Sequence, residues 1–330
     1  MPNIHYYNRV LACKEGQSVL DVLLENGQMV PHSCTMGVCV TCIMQVDEGE
    51  IPEQAQAGLR QAMINKGQFL PCVCEPTSDI HISKIAQEAL FSPAVVEEIE
   101  KLSPDICRIY LSSTTPLYYR AGQFLNLRRE GGLVRSYSLA SVPSLDDQLE
   151  FHIRRLGGGE MSNWILDDLK VGEHIGIQGP IGNCFYLPGK ADQKILLIGN
   201  GTGLAPLIGI ARDALSSGHS GDVYLYHGSR TKAGLYLEKE LRDLEFLYKN
   251  FTYIPCISGD EVPDGYRAAR ANDAAFSEHP NLSGWRVFLS GLPAMVYDAN
   301  QSALSAGADI TDIYTDPYEL KDLRKTIRST

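Results

Sequence analysis

Residues 34–42 read Cys-Thr-Met-Gly-Val-Cys-Val-Thr-Cys, a C-x4-C-x2-C run, and Cys72 and Cys74 follow at a distance. No other feature constrains the chain as tightly. Three thiolates in one short loop plus a distant fourth suit a cluster of two irons bridged by two sulfides, because each iron needs two terminal ligands. Structural zinc sites usually present paired C-x2-C arms, which this triplet matches poorly. Gly37 lets the loop turn closely enough for amide N–H groups to point at the sulfurs. The chain has nine cysteines, an odd number, and in a reducing compartment such crowding marks a metal or redox site more often than a disulfide framework. Cys13, Cys107, Cys184 and Cys256 read as small buried hydrophobes.

Residues 1–86 resemble a plant-type ferredoxin domain of β-grasp fold. In that family three residues separate the fourth ligand from a Pro-Thr-Ser-Asp-like segment. Cys72 stands so relative to Pro76-Thr77-Ser78-Asp79, and Cys74 does not. The resemblance therefore implies Cys34, Cys39, Cys42 and Cys72 as ligands of a [2Fe–2S] cluster. Val40 departs from the family's usual Gly or Ser. Within this stretch Ile4–Val10 and Cys42–Val46 read as strands. Ser18–Asn26 reads as a helix, with Ser18 as N-cap and Gly27 at its end.

A chain of 330 residues expects two or three domains. Hydrophobic residues make up 44% and charged residues 21%, an ordinary globular balance. A net charge of −11 without any Lys/Arg-rich run argues against nucleic acid or an anionic membrane as partner. No basic-then-apolar leader opens the chain, and no apolar run approaches the ~20 residues that span a bilayer. A cytoplasmic protein is expected. Residues 87–93 read as a linker. Residues 94–189 alternate short apolar runs with Gly/Pro punctuation: Val95–Ile99, Cys107–Leu111, Gln123–Leu127, Ser136–Ala140, Leu149–Ile153 and His174–Gln178. Six regular strands suggest an antiparallel barrel. Residues 190–330 alternate strand and helix, the rhythm of a parallel, Rossmann-like nucleotide-binding sheet.

Two elements inside 94–189 carry chemistry. Arg135-Ser136-Tyr137-Ser138 resembles the R-x-Y-S motif of the ferredoxin–NADP+ reductase superfamily. Arginine pairs with a flavin diphosphate by forked, charge-assisted bonds. The tyrosine ring packs on the flavin, and the Ser138 hydroxyl can bond its redox-active N5 edge. Downstream, His152-Ile153-Arg154 leads to Gly158-Gly159-Glu160-Met161-Ser162, similar to the family's G-G-x-x-S segment. There a helix opening at Ser162 offers free N–H groups to phosphate. His152, Ile153, Arg154, Gly158, Gly159, Met161 and Ser162 are candidate cofactor contacts, His152 as a strand residue rather than a catalyst.

Ile195–Ile198 followed by Gly199-Asn200-Gly201-Thr202-Gly203-Leu204-Ala205-Pro206 is strand, glycine loop and helix start, a pyrophosphate cradle by context. It resembles the superfamily's G-x-G-T-G-x-A-P form and makes Gly201, Thr202, Gly203, Leu204 and Pro206 candidates. Ser229 and Arg230 follow the next strand, where the adenosine ribose usually lies. Ser290-Gly291-Leu292-Pro293-Ala294-Met295 resembles the family's C-G-x-P-x-M, with Ser290 replacing the cysteine beside the nicotinamide and Gly291, Pro293 and Met295 behind it. Arg230 suits a 2′-phosphate, but with no doubly basic partner NADH is favoured and NADPH left open.

The order ferredoxin, FAD barrel, nucleotide domain is typical of reductase components of bacterial multicomponent oxygenases. The resemblance implies hydride transfer from NAD(P)H to FAD, with Ser138 and Ser290 at the reacting centre, then single electrons through the cluster to an oxygenase or ferredoxin. A CDP-6-deoxy-glucoseen-type reductase of deoxysugar synthesis has the same architecture. A flavin/iron–sulfur redox sensor is the non-enzyme alternative.

Overall fold

The structure, a computed structural model, describes residues 1–259 and 262–318. Residues 319–330 of the expected nucleotide domain lie outside the described residues. A hairpin opens the chain: β1 (Asn3–Tyr6) and β2 (Arg9–Ala12) pair antiparallel where one strand over 4–10 was expected, because Tyr7 turns at φ +51. Helix α1 (Val19–Glu25) forms as its cap predicts. Ser18 Oγ accepts the Asp21 N–H at 3.1 Å, and Asp21 reaches back to the Ser18 N–H, a capping box worth about 1 kcal/mol. Strand β3 (Met44–Glu48) starts later than expected, since Cys42 still belongs to the loop. After α2 (Gln61–Ile64), β4 (Gln68–Phe69) and β5 (Ile80–Lys84), the mixed sheet runs β2-β1-β5-β3-β4 with β1 and β5 parallel. This β-grasp buries Tyr6, Leu20, Leu23 and Phe69 between sheet and helix.

Helix α3 (Gln87–Leu90) bridges to the second unit. Strands β6 (Ser92–Lys101), β7 (Ile106–Ser113), β8 (Phe124–Arg128), β9 (Val134–Ser138), β10 (Leu149–Arg154) and β11 (His174–Ile181) form an antiparallel sheet, β10-β7-β6-β11-β8-β9. Its edges meet: Leu139 bridges Phe151, and the Ala140 N–H donates to the Glu150 carbonyl at 2.9 Å. The sheet is a closed barrel, which removes its exposed edges. Helix α4 (Glu160–Asp167) adds Met161 and Ile165 to the barrel core.

The third sheet is wholly parallel. Strands β12 (Ile195–Asn200), β13 (Val223–Ser229), β14 (Phe251–Ile257), β15 (Arg286–Gly291) and β16 (Ile313–Pro317) lie in the order β14-β13-β12-β15-β16. Helices α5 (Leu204–Ser216), α6 (Glu238–Leu247), α7 (Ala271–Glu278) and α8 (Pro293–Ser305) connect them. The order reverses between β12 and β15, so their carboxyl ends open the crevice where doubly wound sheets bind ligands.

Candidate functional site

The cysteine loop lies between α1 and β3, and its sulfurs form two pairs. Cys34 Sγ accepts N–H groups of Met36, Val38 and Cys39 at 3.3–3.4 Å, while the Cys34 N–H donates to Cys39 Sγ at 3.4 Å. A hydrogen bond from Cys39, with these amides, pulls the Cys34 thiol down to about 5 against burial. Cys72 pairs with Cys42, and that bond together with the Gly37 N–H lowers its thiol as well. Amides converging on sulfur are what a thiolate-held cluster requires, and two sulfur pairs fit two irons. Cys74 differs: it is fully buried beside Cys13, burial pushes its thiol up to about 12, and its carbonyl accepts the Val19 N–H at 2.8 Å. Thr35 at φ +52 and Val40 at φ +59 occupy the left-handed region, which costs a non-glycine residue about 1–2 kcal/mol. A glycine at position 40 would be free of that strain.

The second centre is the crevice at the β12/β15 switch, closed from the other side by β9. Gly201-Thr202-Gly203 forms a 3-10 turn into α5. Gly203 packs so tightly that a side chain there would overlap the Ser290 carbonyl, and one on Gly291 (φ +131) would overlap Asn200 Oδ1. Asn200 earns its place by accepting the Leu292 N–H at 3.0 Å, which locks the two loops together. Ser290 Oγ is fully buried and unpartnered, a polar atom waiting for a ligand. Ser138 Oγ donates to Asp316 Oδ2 at 2.6 Å across the junction between barrel and parallel sheet. Burial pushes the Asp316 carboxyl up to about 6 despite that bond. The Tyr318 phenol donates to the Thr202 carbonyl at 3.0 Å and lies beside both Ser138 and Ser290. The crevice thus gathers the two expected reacting-centre serines with two residues that sequence reasoning passed over. Asp316 and Tyr318 sit on and just after β16, a strand without a recognised motif.

Other expected contacts separate by what their side chains do. Arg135 donates to its neighbour's carbonyl, Val134 O, at 2.8 Å, and Ser136 Oγ to Asn126 at 2.7 Å. Burial raises the Tyr137 phenol well above its usual range. Gly158 takes φ +74 with open space where a side chain would stand, whereas Ser162 Oγ accepts the Leu156 N–H at 3.1 Å beneath Gly159 and shapes the loop itself. Arg154 pairs with Asp105 at 2.8 Å, and its guanidinium lies against Gly201. Met161, Ile153, Leu204 and Pro206 are buried in the cores. Both ring nitrogens of His152 are engaged within the protein, one with Glu150 at 2.8 Å and the other with Tyr236 at 3.0 Å. Ser229 Oγ accepts the Thr231 N–H at 3.3 Å, and Arg230 is exposed beside it. Pro293 opens α8 at its first turn, and Met295 packs against the core beneath.

The family profile of a 2Fe-2S iron–sulfur cluster binding domain matches residues 4–77. An oxidoreductase FAD-binding domain matches residues 93–186, and an oxidoreductase NAD-binding domain residues 197–301. The chain is 36% identical to the reductase subunit of an aromatic O-demethylase from Amycolatopsis sp., over 87% of this chain and 90% of that one. This chain belongs to the iron–sulfur flavoprotein reductase family. It is also 33% identical to the ferredoxin–NAD(P)+ reductase component of naphthalene 1,2-dioxygenase/salicylate 5-hydroxylase systems from Ralstonia sp., over 94% of this chain and 96% of that one. The crystal structure of the Amycolatopsis cytochrome P-450 reductase GcoB is similar at a TM-score of 0.69 and 31% identity, covering 96% of this chain and 99% of that chain. The reductase is an electron-transfer oxidoreductase whose cofactors are a [2Fe–2S] cluster, FAD and NAD(P)H. With relatives of this kind, neither the deoxysugar reductase nor the sensor is favoured. No helix among the described residues is long and apolar enough to cross a membrane.

Proposed function

We propose that this reductase oxidises NADH in the cytoplasm and passes single electrons to the oxygenase component of a multicomponent system. The observation that carries the proposal is the convergence of Ser138, Ser290, Asp316 and Tyr318 on one crevice, with Ser138 bonded to Asp316 at 2.6 Å. FAD would supply hydride acceptance and a [2Fe–2S] cluster single-electron transfer when bound. The chain's own residues do the rest. Arg135 and the amides of 158–162 would hold a diphosphate. The Cys34/Cys39 and Cys42/Cys72 sulfur pairs would hold the cluster. Gly201-Thr202-Gly203 cradles the nucleotide's pyrophosphate, with Ser229 and Arg230 at its ribose. An ionised Asp316 keeps the Ser138 proton turned toward itself, so the serine lone pairs face the crevice. Tyr318 covers Ser290 until a nicotinamide ring takes its place. The connector through α3 and a boundary near 189 separate the three working units.

A visible spectrum tests the proposal. Flavin absorption should overlie broad iron–sulfur bands, and NADH should bleach both without oxygen. A colourless protein refutes it. With cofactors present, an oxygenase component from a related system should be reduced at a rate saturable in its concentration.

A further inference from the structure

The cluster loop touches the barrel through an apolar contact. Cys34 and Cys39 pack against Phe124, with Ile181 alongside. Two residues along β8 from Phe124, and on the same face of the strand, stands Asn126, wholly buried. Its Nδ2 donates to the Cys39 carbonyl at 2.7 Å and to Gln178 Oε1 at 2.8 Å, and its Oδ1 accepts from Ser136 Oγ at 2.7 Å. The Cys39 carbonyl can only accept, which fixes the orientation of the amide. Ser136 lies between Arg135 and Tyr137 on β9, directly opposite Asn126 in the register. One side chain, 87 positions from Cys39 in sequence, therefore joins a cysteine of the cluster loop to the strand of the R-S-Y-S segment through two hydrogen bonds.

We propose that Asn126 is the positioning residue that holds the cluster loop against the flavin strand and sets the rate at which electrons leave the flavin. This rests on the reading that Cys34, Cys39, Cys42 and Cys72 hold the cluster and that residues 135–138 hold FAD. The redox balance is simple. NADH gives up two electrons and releases NAD+ and H+. The electrons pass singly, each reducing one ferric iron to ferrous before moving on to the acceptor. Asn126 gains and loses neither electron nor proton. It offers an amide because the contact needs donors toward Cys39 and Gln178 and an acceptor toward Ser136 at a position without solvent exposure. An unmade buried hydrogen bond is costly, and the docked arrangement gains what that bond supplies.

The test compares Asn126→Asp with Gln178→Met in the holoprotein, after absorption spectra establish that both cofactors are bound. Loss of cofactor from the unsubstituted protein would sink the underlying reading and leave no role to assign. Asn126→Asp keeps the acceptor for Ser136 and loses the donors. Gln178→Met removes one neighbour and leaves the Cys39 bond. Ferricyanide takes electrons from the flavin, whereas cytochrome c takes them through the cluster. The ratio of cytochrome c to ferricyanide reduction should fall roughly ten-fold in Asn126→Asp, the change a lost buried donor confers, and stay within about two-fold in Gln178→Met. Hydrogen exchange should speed up in residues 34–42 of Asn126→Asp and not in β12. If Asn126→Asp does not fold, the apolar near-isostere Asn126→Leu is read the same way. An unchanged ratio in the Asn126 variants, or an equal fall in Gln178→Met, overturns the proposal.

Discussion

Asp316 carries the sharpest quantitative prediction. Its carboxyl is displaced from an ordinary 3.8 to about 6, chiefly by burial, with the Ser138 hydroxyl opposing. Two neighbouring groups sense its charge: the Tyr318 phenol and the Cys184 thiol, both of which it raises. The displacement is worth about 3 kcal/mol at 1.36 kcal/mol per pH step. Its sign follows from linkage. Between pH 3.8 and about 6 the unfolded chain releases a proton that the folded chain retains, so stability falls across that window and is flat above it. Asp316→Asn removes the penalty and keeps an acceptor for Ser138. After deducting about 1 kcal/mol for the weaker hydrogen bond, about 2 kcal/mol of stabilisation remains at pH 7.5. For a domain of this size that is roughly 4–8 °C in thermal midpoint. The assay is thermal unfolding of wild type and variant from pH 4.5 to 8. The curves should converge near pH 4.5, separate between there and about pH 6, and keep a constant gap above it. A constant gap over the whole range from pH 4.5 to 8, or a variant less stable at pH 7.5, would refute the account of a half-buried carboxylate whose ionisation is disfavoured. The same variant should lose any kinetic limb near pH 6 in NADH-dependent ferricyanide reduction.

Cys72→Ser should abolish the iron–sulfur absorption and retain flavin, while Cys74→Ser should keep both and lose about 1–2 kcal/mol of core packing; the reverse pattern would reassign the fourth ligand. Gly203→Ala should weaken NADH binding at least ten-fold, read as KM, because its side chain meets the Ser290 carbonyl. Tyr318→Ser should lower the KM for NADH several-fold by uncovering Ser290, and an unchanged or raised KM would contradict the covering role. Arg230→Ala should change the KM for NADH less than two-fold; a large rise confined to NADPH would show that Arg230 serves a 2′-phosphate.

Much of the fold was legible because it rests on local signals. The N-cap at Ser18, the glycine after α1, the short apolar strands of the barrel and the strand–glycine–helix of β12 all fall within a few residues of where pattern placed them. The misses share a cause. Ile4–Val10 reads as one apolar strand, and only Tyr7 in a left-handed turn divides it. Strand β14 contains Pro255 and Cys256, and β16 reads Ile-Tyr-Thr-Asp-Pro, so neither has the apolar run of a central strand. Both are edge strands of their sheet, where such residues are tolerated.

The site was legible only where a residue type announces its own chemistry. Cysteines, a forked arginine and crowded glycines do so. Asp316 and Asn126 do not, since each acquires its meaning from a partner far away in sequence. His152, expected as a strand residue, also gains its partners from the fold. Its ring joins Glu150 on the barrel to Tyr236, which follows β13 of the parallel sheet. Burial opposes ionisation of Glu150, but the His152 bond and the Arg108 and Arg212 charges hold its carboxyl below the usual range, so it accepts. Tyr236 in turn packs edge-on against His227 at 5.5 Å, whose Nε2 meets the Gly201 carbonyl at 3.3 Å. Burial pushes His227 down to about 4, so it is neutral at working pH. A carbonyl can only accept, so Nε2 keeps its hydrogen and the tautomer is fixed. The Gly201-Thr202-Gly203 loop is therefore braced from beneath by a donor that stays neutral well above its lowered pKa, so this buried chain does not switch the loop as pH changes around neutrality.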